Sequence, residues 1–272
     1  MADPLQDDAA APPDYPGRLR LDGRGFVVLG AGQGIGVQAA RALAQCGAGV
    51  MCVDLDGERA AAIATAIGGF AHAADATREE EVRGIFSAAQ QRFGARLQGV
   101  VDIIGMPTGA GLEGTDGAQL HRQFDFVFGH AWHAAREAVP LLRANGGGSL
   151  VYVGSIAGLM ARSGSLLAYG AAKAALHHFV KGAALEFASA GIRVNAVAPG
   201  LTRTPRLAAA NPPAFWASQS AQIPLGRPAE PSDIAAAALF LSSPLARHVT
   251  GTILPVDGGT LLGTAMAIAK SG

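Results

Sequence analysis

Short apolar runs and longer alanine-rich stretches alternate along most of the chain. The runs are rich in β-branched residues and predict strands at positions 26–29, 50–54, 70–73, 99–104, 150–153, 192–198 and 252–256. The stretches between them predict helices at positions 34–47, 58–67, 78–93, 119–143, 166–190 and 234–241. Strands that are apolar throughout are buried on both faces, and strand–helix alternation is typical of a parallel sheet. The pattern therefore predicts an α/β fold, a single doubly wound domain with a central parallel β-sheet flanked by helices.

Two segments depart from this alternation. Residues 1–20 contain four aspartates among alanines and prolines, which predicts a disordered arm before a domain at residues 21–272. Residues 201–225 contain four prolines and several large apolar side chains. A loop of this length in a compact domain is often a lid over a site, so we expect a substrate lid here.

Charge and length narrow the function classes. Lysine plus arginine and aspartate plus glutamate number 21 each, so no basic excess indicates binding to nucleic acid or to an anionic membrane surface. No apolar run reaches the roughly 18 residues that a membrane helix needs. The N-terminus is acidic and does not resemble a signal peptide. We therefore expect a cytoplasmic protein without nucleic-acid or membrane partners.

A glycine-rich loop joins the first predicted strand to the first predicted helix. It reads Gly30-Ala31-Gly32-Gln33-Gly34-Ile35-Gly36, with the spacing G-x-x-x-G-x-G rather than the usual G-x-G-x-x-G. Glycines let the backbone turn sharply and approach a pyrophosphate, which the dipole and free N–H groups of a helix N-terminus favour. A tight turn without a ligand is the alternative. An aspartate at the end of the next strand favours a Rossmann-type nucleotide-binding domain.

That aspartate, Asp54, lies 18 residues after Gly36 and bears on the choice of nucleotide. A carboxylate there accepts hydrogen bonds from the adenosine ribose hydroxyls and repels the 2′-phosphate of NADP. Gln33 offers no cation to such a phosphate. We therefore predict NAD as the cofactor, and the alternative is that Asp54 is only a turn acid at a strand end.

Tyr169 and Lys173 lie four residues apart on a predicted helix, so their side chains share one face. A free phenol titrates near pH 10, too high for acid/base chemistry at neutral pH. A nearby ammonium and the positive nicotinamide ring are expected to lower the pKa of the Tyr169 phenol. Ser155, 14 residues before the tyrosine at a strand end, is placed to hydrogen-bond the reacting oxygen. These three residues are the predicted catalytic group.

With these features the chain resembles the short-chain dehydrogenase/reductase family over nearly all of residues 22–262. Other matching features are Asp75 after the third strand, Pro199-Gly200 after the sixth and the closing Val256-Asp257-Gly258-Gly259. The resemblance implies an NAD(P)-dependent oxidoreductase acting on CH–OH groups. It also implies a homotetramer or a homodimer.

The resemblance further implies a set of cofactor contacts. Asp75 would lie near the adenine amine, Thr202 (through its backbone) and Thr204 would hold the nicotinamide carboxamide, and Lys173 would contact the nicotinamide ribose. The full set of predicted cofactor-binding residues is Gly30, Gln33, Gly34, Ile35, Gly36, Asp54, Asp75, Ala76, Ile104, Gly105, Tyr169, Lys173, Pro199, Gly200, Thr202 and Thr204.

Three polar positions of the family's usual pattern are changed around the cofactor. Many members have Thr just before the first loop glycine, where this chain has Leu29. The family usually shows Asn-Asn-Ala-Gly where this chain reads Asp102-Ile103-Ile104-Gly105. The Asn that steadies the catalytic lysine through a water is replaced by Val127. His130 or Asp125 is a candidate substitute in that proton relay, and the alternative is that the histidine only satisfies local bonds.

The predicted substrate residues are apolar: Met106, Met160, Phe215 and Trp216. The arginines of residues 201–225 are expected to be solvated rather than dedicated to a carboxylate or phosphate. A hydrophobic secondary alcohol and its ketone therefore fit best, such as a steroid, a terpenoid or a cyclic alcohol.

Two other functions stay open. A 3-oxoacyl thioester reductase is the alternative enzyme, although most of those use NADP and Asp54 counts against it. A non-catalytic dinucleotide-binding protein is favoured by the altered asparagine positions and opposed by the intact Ser155, Tyr169 and Lys173. No metal is expected, because no carboxylate stands at matching spacing to the histidine pairs.

Overall fold

A computed structural model describes residues 13–107, 111–161 and 163–263. In these parts of the chain the strands are β1 Gly25–Leu29, β2 Gly49–Asp54, β3 Phe70–Ala73, β4 Leu97–Asp102, β5 Gly148–Val153, β6 Ile192–Pro199 and β7 Ile253–Val256. The helices are α1 Ile35–Gln45, α2 Gly57–Ile67, α3 Glu79–Phe93, α4 Gly117–Phe124, α5 His130–Ala144, α6 Leu167–Phe187, α7 Pro205–Ala210, α8 Pro213–Ser220 and α9 Pro231–Ser242. Each predicted strand is present, with its ends shifted by at most two residues.

All strands of the sheet are parallel, and their order is β3-β2-β1-β4-β5-β6-β7. Successive side chains of a strand enter two different cores. Val27 and Leu29 of β1 pack in the core that α3, α5 and α6 cover. Phe26 and Val28 pack in the core that α1, α2 and α9 cover. Burial on both faces explains the uninterrupted apolar runs, and the predicted doubly wound α/β domain is confirmed.

The helix predicted over residues 119–143 consists of three parts. α4 begins after Asp116, whose carboxylate accepts the N–H of Gln119 at 2.7 Å. A π-helical turn, Asp125–Gly129, then joins α4 to α5. Such a turn inserts one residue into the helix and rotates the side chains beyond it by about 100°. Both Val127 within the turn and His130 directly after it are buried.

Residues 201–225 are not a continuous loop, contrary to the sequence-based expectation, because α7 and α8 lie within them. The hydroxyl of Thr204 caps α7 by accepting the N–H of Leu207 at 3.4 Å. Prolines occupy the first turn of both helices, where their fixed φ suits a helix and no N–H is needed. The prolines that suggested a loop therefore begin helices.

The arm predicted at residues 1–20 falls partly outside the described residues, which start at position 13. In the described part, Gly17–Leu19 forms a 3-10 turn and Leu21 is fully buried. No helix in the described ranges is long and apolar enough to cross a lipid bilayer.

Candidate active site

A cleft opens at the carboxyl ends of β1 and β4. The chain that follows β1 covers one face of the sheet, and the chain that follows β4 covers the opposite face. Ligands of doubly wound sheets bind at this switch point. The structure adds Leu55, Phe126 and Arg206 to the lining. The predicted cofactor-binding residues that line the cleft are Gly30, Gln33, Gly34, Ile35, Asp54, Asp75, Ala76, Ile104, Gly105 and Thr204.

The other predicted cofactor-binding residues lie around the cleft rather than on this lining. Gly36 lies in α1 beneath the glycine loop, and Tyr169 and Lys173 lie on α6. Pro199 ends β6, and Gly200 follows with its N–H donated to the Val256 carbonyl at 3.0 Å. Thr202 is buried and donates its hydroxyl to the Gly200 carbonyl at 3.1 Å. These bonds form the turn that carries the chain from β6 to Thr204 in the cleft.

The glycine loop has the shape that a pyrophosphate requires. Gly30 and Gly34 have φ angles of +79° and +55°, a region that other residues rarely adopt. A Cβ at Gly36 would lie 1.9 Å from the Gly30 carbonyl oxygen, so only glycine lets the helix approach the strand this closely. No side chain caps the N-terminus of α1, so the positive end of the helix dipole is open to an anion, while the N–H of Gly36 donates to the Gln33 carbonyl at 3.1 Å. The residues present therefore fit a dinucleotide.

Asp54 holds the loop as well as lining the cleft. One carboxylate oxygen accepts the N–H of Gly32 at 2.8 Å, and the other accepts the N–H of Asp56 at 3.0 Å. Each carboxylate oxygen has a second lone pair, so these bonds leave acceptor capacity for ribose hydroxyls. Asp75 is tied in a similar way, because it accepts both the N–H and the hydroxyl of Thr77 at 2.9 and 2.7 Å.

The structure brings Ser155, Tyr169 and Lys173 together. Ser155 follows β5, and its hydroxyl accepts the N–H of Ala157 at 3.1 Å. The Lys173 ammonium lies 5.7 Å from the centroid of the Tyr169 ring. It also donates to the carbonyl of Val153 at 2.7 Å, which anchors it at the end of β5.

The pKa of the Tyr169 phenol is raised, not lowered, in the protein alone. Burial is the main cause, while a hydrogen bond with Ser155 and the charge of Arg206 act in the opposite direction. The expectation that Lys173 brings this pKa down is therefore not met in the protein alone, because loss of hydration penalises the phenolate more than the Ser155 hydrogen bond and the Arg206 charge favour it. The lowering expected from the nicotinamide ring stays a prediction.

Lys173 is also shifted by its surroundings. Burial lowers the pKa of its ammonium to about 8, and the charge of Asp102 acts against that shift. A Cβ at Gly105 would lie 2.7 Å from the Lys173 Nζ and 3.7 Å from the Val127 side chain. Val127 is fully buried, so the position that usually holds the steadying asparagine contributes an apolar wall.

Sequence reasoning missed two contacts at this end of the cleft. His130, one of the two suggested relay residues, lies on Asp102 with Nε2–Oδ distances of 3.0 and 3.1 Å, whereas Asp125 is exposed. In the sequence, Asp102 stands out only as a departure from the family pattern. His177 accepts the N–H of Ser155 at 3.4 Å, and burial together with the Lys173 charge lowers its pKa to about 4. No pattern in the sequence indicated this histidine.

Only one of the four predicted substrate residues lies on the lining of the cleft. Met106 lines the cleft, and Arg206 contacts its sulfur. Phe215 and Trp216 lie on α8 in an edge-to-face contact, 5.3 Å between ring centroids. They and Met160 are not on the lining of the cleft as described. Among the described residues, no three His, Cys, Asp or Glu side chains cluster as a metal site requires.

Comparison with known proteins identifies the family. Residues 30–260 match the family model described as enoyl-(acyl carrier protein) reductase. The chain belongs to the short-chain dehydrogenase/reductase family. Membership in this family makes it an oxidoreductase that binds a nicotinamide dinucleotide and acts on alcohol groups.

Three similar members of the short-chain dehydrogenase/reductase family illustrate its range. The cis-4-hydroxycyclohexanecarboxylate dehydrogenase of Sinomonas cyclohexanicum is 37% identical over 86% of this chain and 94% of the relative. A 7α-hydroxysteroid dehydrogenase, solved with NADH and 7-oxo glycochenodeoxycholic acid, is 31% identical with a TM-score of 0.85 over 92% of this chain and 98% of that one. The RhlG/NADP active-site complex from Pseudomonas aeruginosa is 31% identical with a TM-score of 0.84 over 89% and 98%. These structures include both nucleotides, so family membership does not decide between NAD and NADP.

Proposed function

We propose that this protein is an NAD-dependent dehydrogenase that interconverts a hydrophobic secondary alcohol, such as a steroid, a terpenoid or a cyclic alcohol, and its ketone. The observation that carries the proposal is the cleft itself. Asp54 lines this cleft, and Ser155, Tyr169 and Lys173 come together beside Gly105 and Arg206 of its lining.

The preference for NAD rests on the charge around Asp54. A 2′-phosphate would face this carboxylate, and Gln33 beside it carries no charge. Arg59 lies close to Gly32, but its guanidinium is paired with Asp56 at 3.0 Å. An acid near the ribose with the adjacent cation already paired favours NAD.

Each of the three proposed catalytic residues has a separate role in the reaction at the alcohol oxygen. The bound nicotinamide supplies the hydride acceptor or donor. During oxidation, Tyr169 takes the proton of the hydroxyl group, and it returns that proton in the reverse direction. Ser155 hydrogen-bonds the same oxygen, and Lys173 favours the phenolate form of Tyr169. The buried setting strengthens both interactions because little water competes with them.

The test of this proposal is a panel of alcohols assayed with NAD and with NADP. We expect oxidation of hydrophobic secondary alcohols with NAD and at least roughly tenfold weaker binding of NADP, a difference of about 1.4 kcal/mol. Reduction of 3-oxoacyl thioesters with NADP would instead support the alternative enzyme. Nucleotide binding without turnover of any alcohol or ketone would support the non-catalytic alternative.

We also propose that residues 201–225, with α7 and α8, form the substrate lid. Trp216 is nearly buried, packed between Phe215 and the Arg203 guanidinium, which lies 5.7 Å from its ring centroid. Truncation of Phe215 or Trp216 to alanine is expected to raise KM while nucleotide affinity stays nearly unchanged. An unchanged KM in both variants would assign the pocket wall to other residues.

A substrate with a carboxylate is a second candidate, and Arg206 is the observation that favours it. This arginine lines the cleft, and its charge acts on Tyr169. The cyclohexane relative acts on a cyclic alcohol with such a group. We expect Arg206→Gln to raise KM for a hydroxy acid at least about tenfold and to leave KM for its neutral amide almost unchanged.

The homotetrameric or homodimeric assembly and the cytoplasmic location expected from the sequence stay predictions.

A further inference from the structure

Two ionisable side chains lie buried behind the catalytic lysine. Asp102 is the last residue of β4, His130 is the first residue of α5, and their exposed fractions are 2% and 1%. The Nε2 atom of His130 lies 3.1 Å from Oδ1 and 3.0 Å from Oδ2 of Asp102. Oδ1 also accepts the N–H of Ile104 at 3.1 Å. A buried carboxylate needs such donors, because it has lost its hydration.

The hydrogen bonds indicate which form of His130 fits this position. An ionised carboxylate only accepts, so Nε2 must carry a proton. Nδ1 is buried and has no hydrogen-bond partner among the residues that the structure describes. A second proton there would be a buried donor without an acceptor, which is costly. The N–H on Nε2 therefore orients the Asp102 carboxylate.

The strand register brings this charge close to Lys173. Asp102 is the direct neighbour of Tyr152 across β4 and β5, and Lys173 donates to the carbonyl of the next residue, Val153. Asp102 is the acid whose charge favours the ammonium form of Lys173 against the effect of burial.

The other titratable groups near Lys173 do not supply the negative charge that Asp102 supplies. His177 on α6 has its pKa lowered to about 4 and is neutral at pH 7. Tyr152 on β5 and Tyr169 on α6 have raised pKa values and are neutral phenols in the protein alone. Among the described residues that act on Lys173, Asp102 is therefore the negative charge.

We propose that Asp102, held by His130, is a positioning residue whose charge keeps Lys173 in its ammonium form. The pair supplies support for the lysine from β4 and α5, while Val127 occupies the position of the usual asparagine. The link to catalysis rests on the proposed function, in which Lys173 supports Tyr169. The charge pairing itself can be measured without any substrate.

The chain makes this measurement direct, because it contains three lysines, Lys173, Lys181 and Lys270. In protein labelled with ¹³C at the lysine ε-carbons, the Lys173 signal is identified by its loss in Lys173→Met and followed against pH by NMR. The unaltered protein is expected to show a midpoint near the pKa of about 8. Asp102→Asn keeps the shape of the side chain and is the residue that the family usually has there. It is expected to lower the midpoint by about one pH unit or more, because the favouring charge is gone.

Asp125→Asn is the matched control, because it removes an exposed acid only two residues from Val127. It is expected to leave the Lys173 midpoint unchanged. In a substrate assay, Asp102→Asn should also move the ionisation for alcohol oxidation to higher pH, because a neutral Lys173 no longer favours the phenolate. A residue that only fills space would leave both titrations where they are.

Equal Lys173 midpoints in Asp102→Asn and Asp125→Asn would overturn the proposal. If Asp102→Asn does not fold, the unaltered protein decides, because a Lys173 midpoint below pH 6 would show that the lysine is not held charged. If the midpoint shifts as expected but no alcohol is oxidised by the unaltered protein, the charge pairing stands and the proposed function fails.

Discussion

The two ends of the cleft are built in different ways. At the nucleotide end, the glycine loop supplies tight turns and an α1 N-terminus without a side-chain cap, and Asp54 ties that loop through backbone N–H groups. At the other end, buried ionisable side chains from β4, α5 and α6 face each other, with Lys173 at the centre. The first end depends on backbone conformation and the second on charge in a dry interior. Substitutions that change only backbone conformation, or only buried charge, therefore test one end of the cleft at a time. We expect the largest effects at the end around Lys173.

Removal of the Tyr169 hydroxyl is expected to have the largest effect. Tyr169→Phe keeps the ring but removes the proton-transfer group, so kcat should fall by about 10²–10⁴-fold, with NAD binding largely kept. Steady-state kinetics and calorimetric NAD binding measure the two quantities. Tyr152→Phe removes another buried phenol and should keep most of the activity. Near-normal turnover by Tyr169→Phe would refute the mechanism.

His177 is expected to make the catalytic end sensitive to acid. Its pKa is lowered to about 4 in the folded protein, whereas an unfolded histidine titrates near 6.5. Between these values the unfolded chain binds a proton that the folded protein does not, so stability falls as pH drops from about 6.5 to 4, by up to about 3 kcal/mol.

Urea unfolding at several pH values measures this loss. His177→Gln is expected to flatten the dependence over that range, because the titrating group is gone. His178→Gln, at the exposed neighbouring position, should keep it. Identical pH dependence in the two variants would contradict the assignment.

Gly36→Ala tests the backbone of the nucleotide end. The new methyl group would lie 1.9 Å from the Gly30 carbonyl oxygen, so the loop must move. We expect a loss of about 1–3 kcal/mol in the free energy of unfolding and weaker NAD binding. Gly84→Ala in α3 meets no atom within 4 Å and should instead stabilise by about 0.5–1 kcal/mol. Chemical denaturation of both variants decides, and a neutral Gly36→Ala would show that the close approach is not needed.

A substitution of Asp54 is expected to have the smallest of these effects, a change in the preference for NAD over NADP. Asp54→Asn keeps the shape and removes the charge, so the NAD preference of roughly tenfold, about 1.4 kcal/mol, should narrow. Glu58→Gln removes the charge of an exposed acid four residues away, leaves the Asp56–Arg59 ion pair in place and should have a smaller effect. Dissociation constants for NAD and NADP measure the preference, and equal constants in the unaltered protein would remove Asp54 from this role.

The same contrast explains what the sequence could predict. The glycine loop could be predicted because its conformation restricts the residue types. The strands could be predicted because burial on both faces leaves uninterrupted apolar runs. The contact between Asp102 and His130 could not be predicted from the sequence, because it depends on a one-residue insertion in the helix and on the packing of α5 against β4. The prediction of a loop at residues 201–225 was wrong for a related reason. Proline disrupts the interior of a helix but is favoured in its first turn, so its presence alone does not distinguish a loop from a helix start.

The position of β1 in the sheet has a consequence for how the protein is made. β1 pairs with β2 on one side and with β4 on the other, and all five of its residues are buried. β4 starts at Leu97, 68 residues after β1 ends at Leu29. Until the ribosome has released that stretch, the nascent chain exposes an apolar strand edge with unpaired N–H and C=O groups, which is a template for pairing with another chain. Fragments that end before β4 are therefore expected to aggregate or to be held by chaperones, and the nucleotide cleft closes only when synthesis has passed β6.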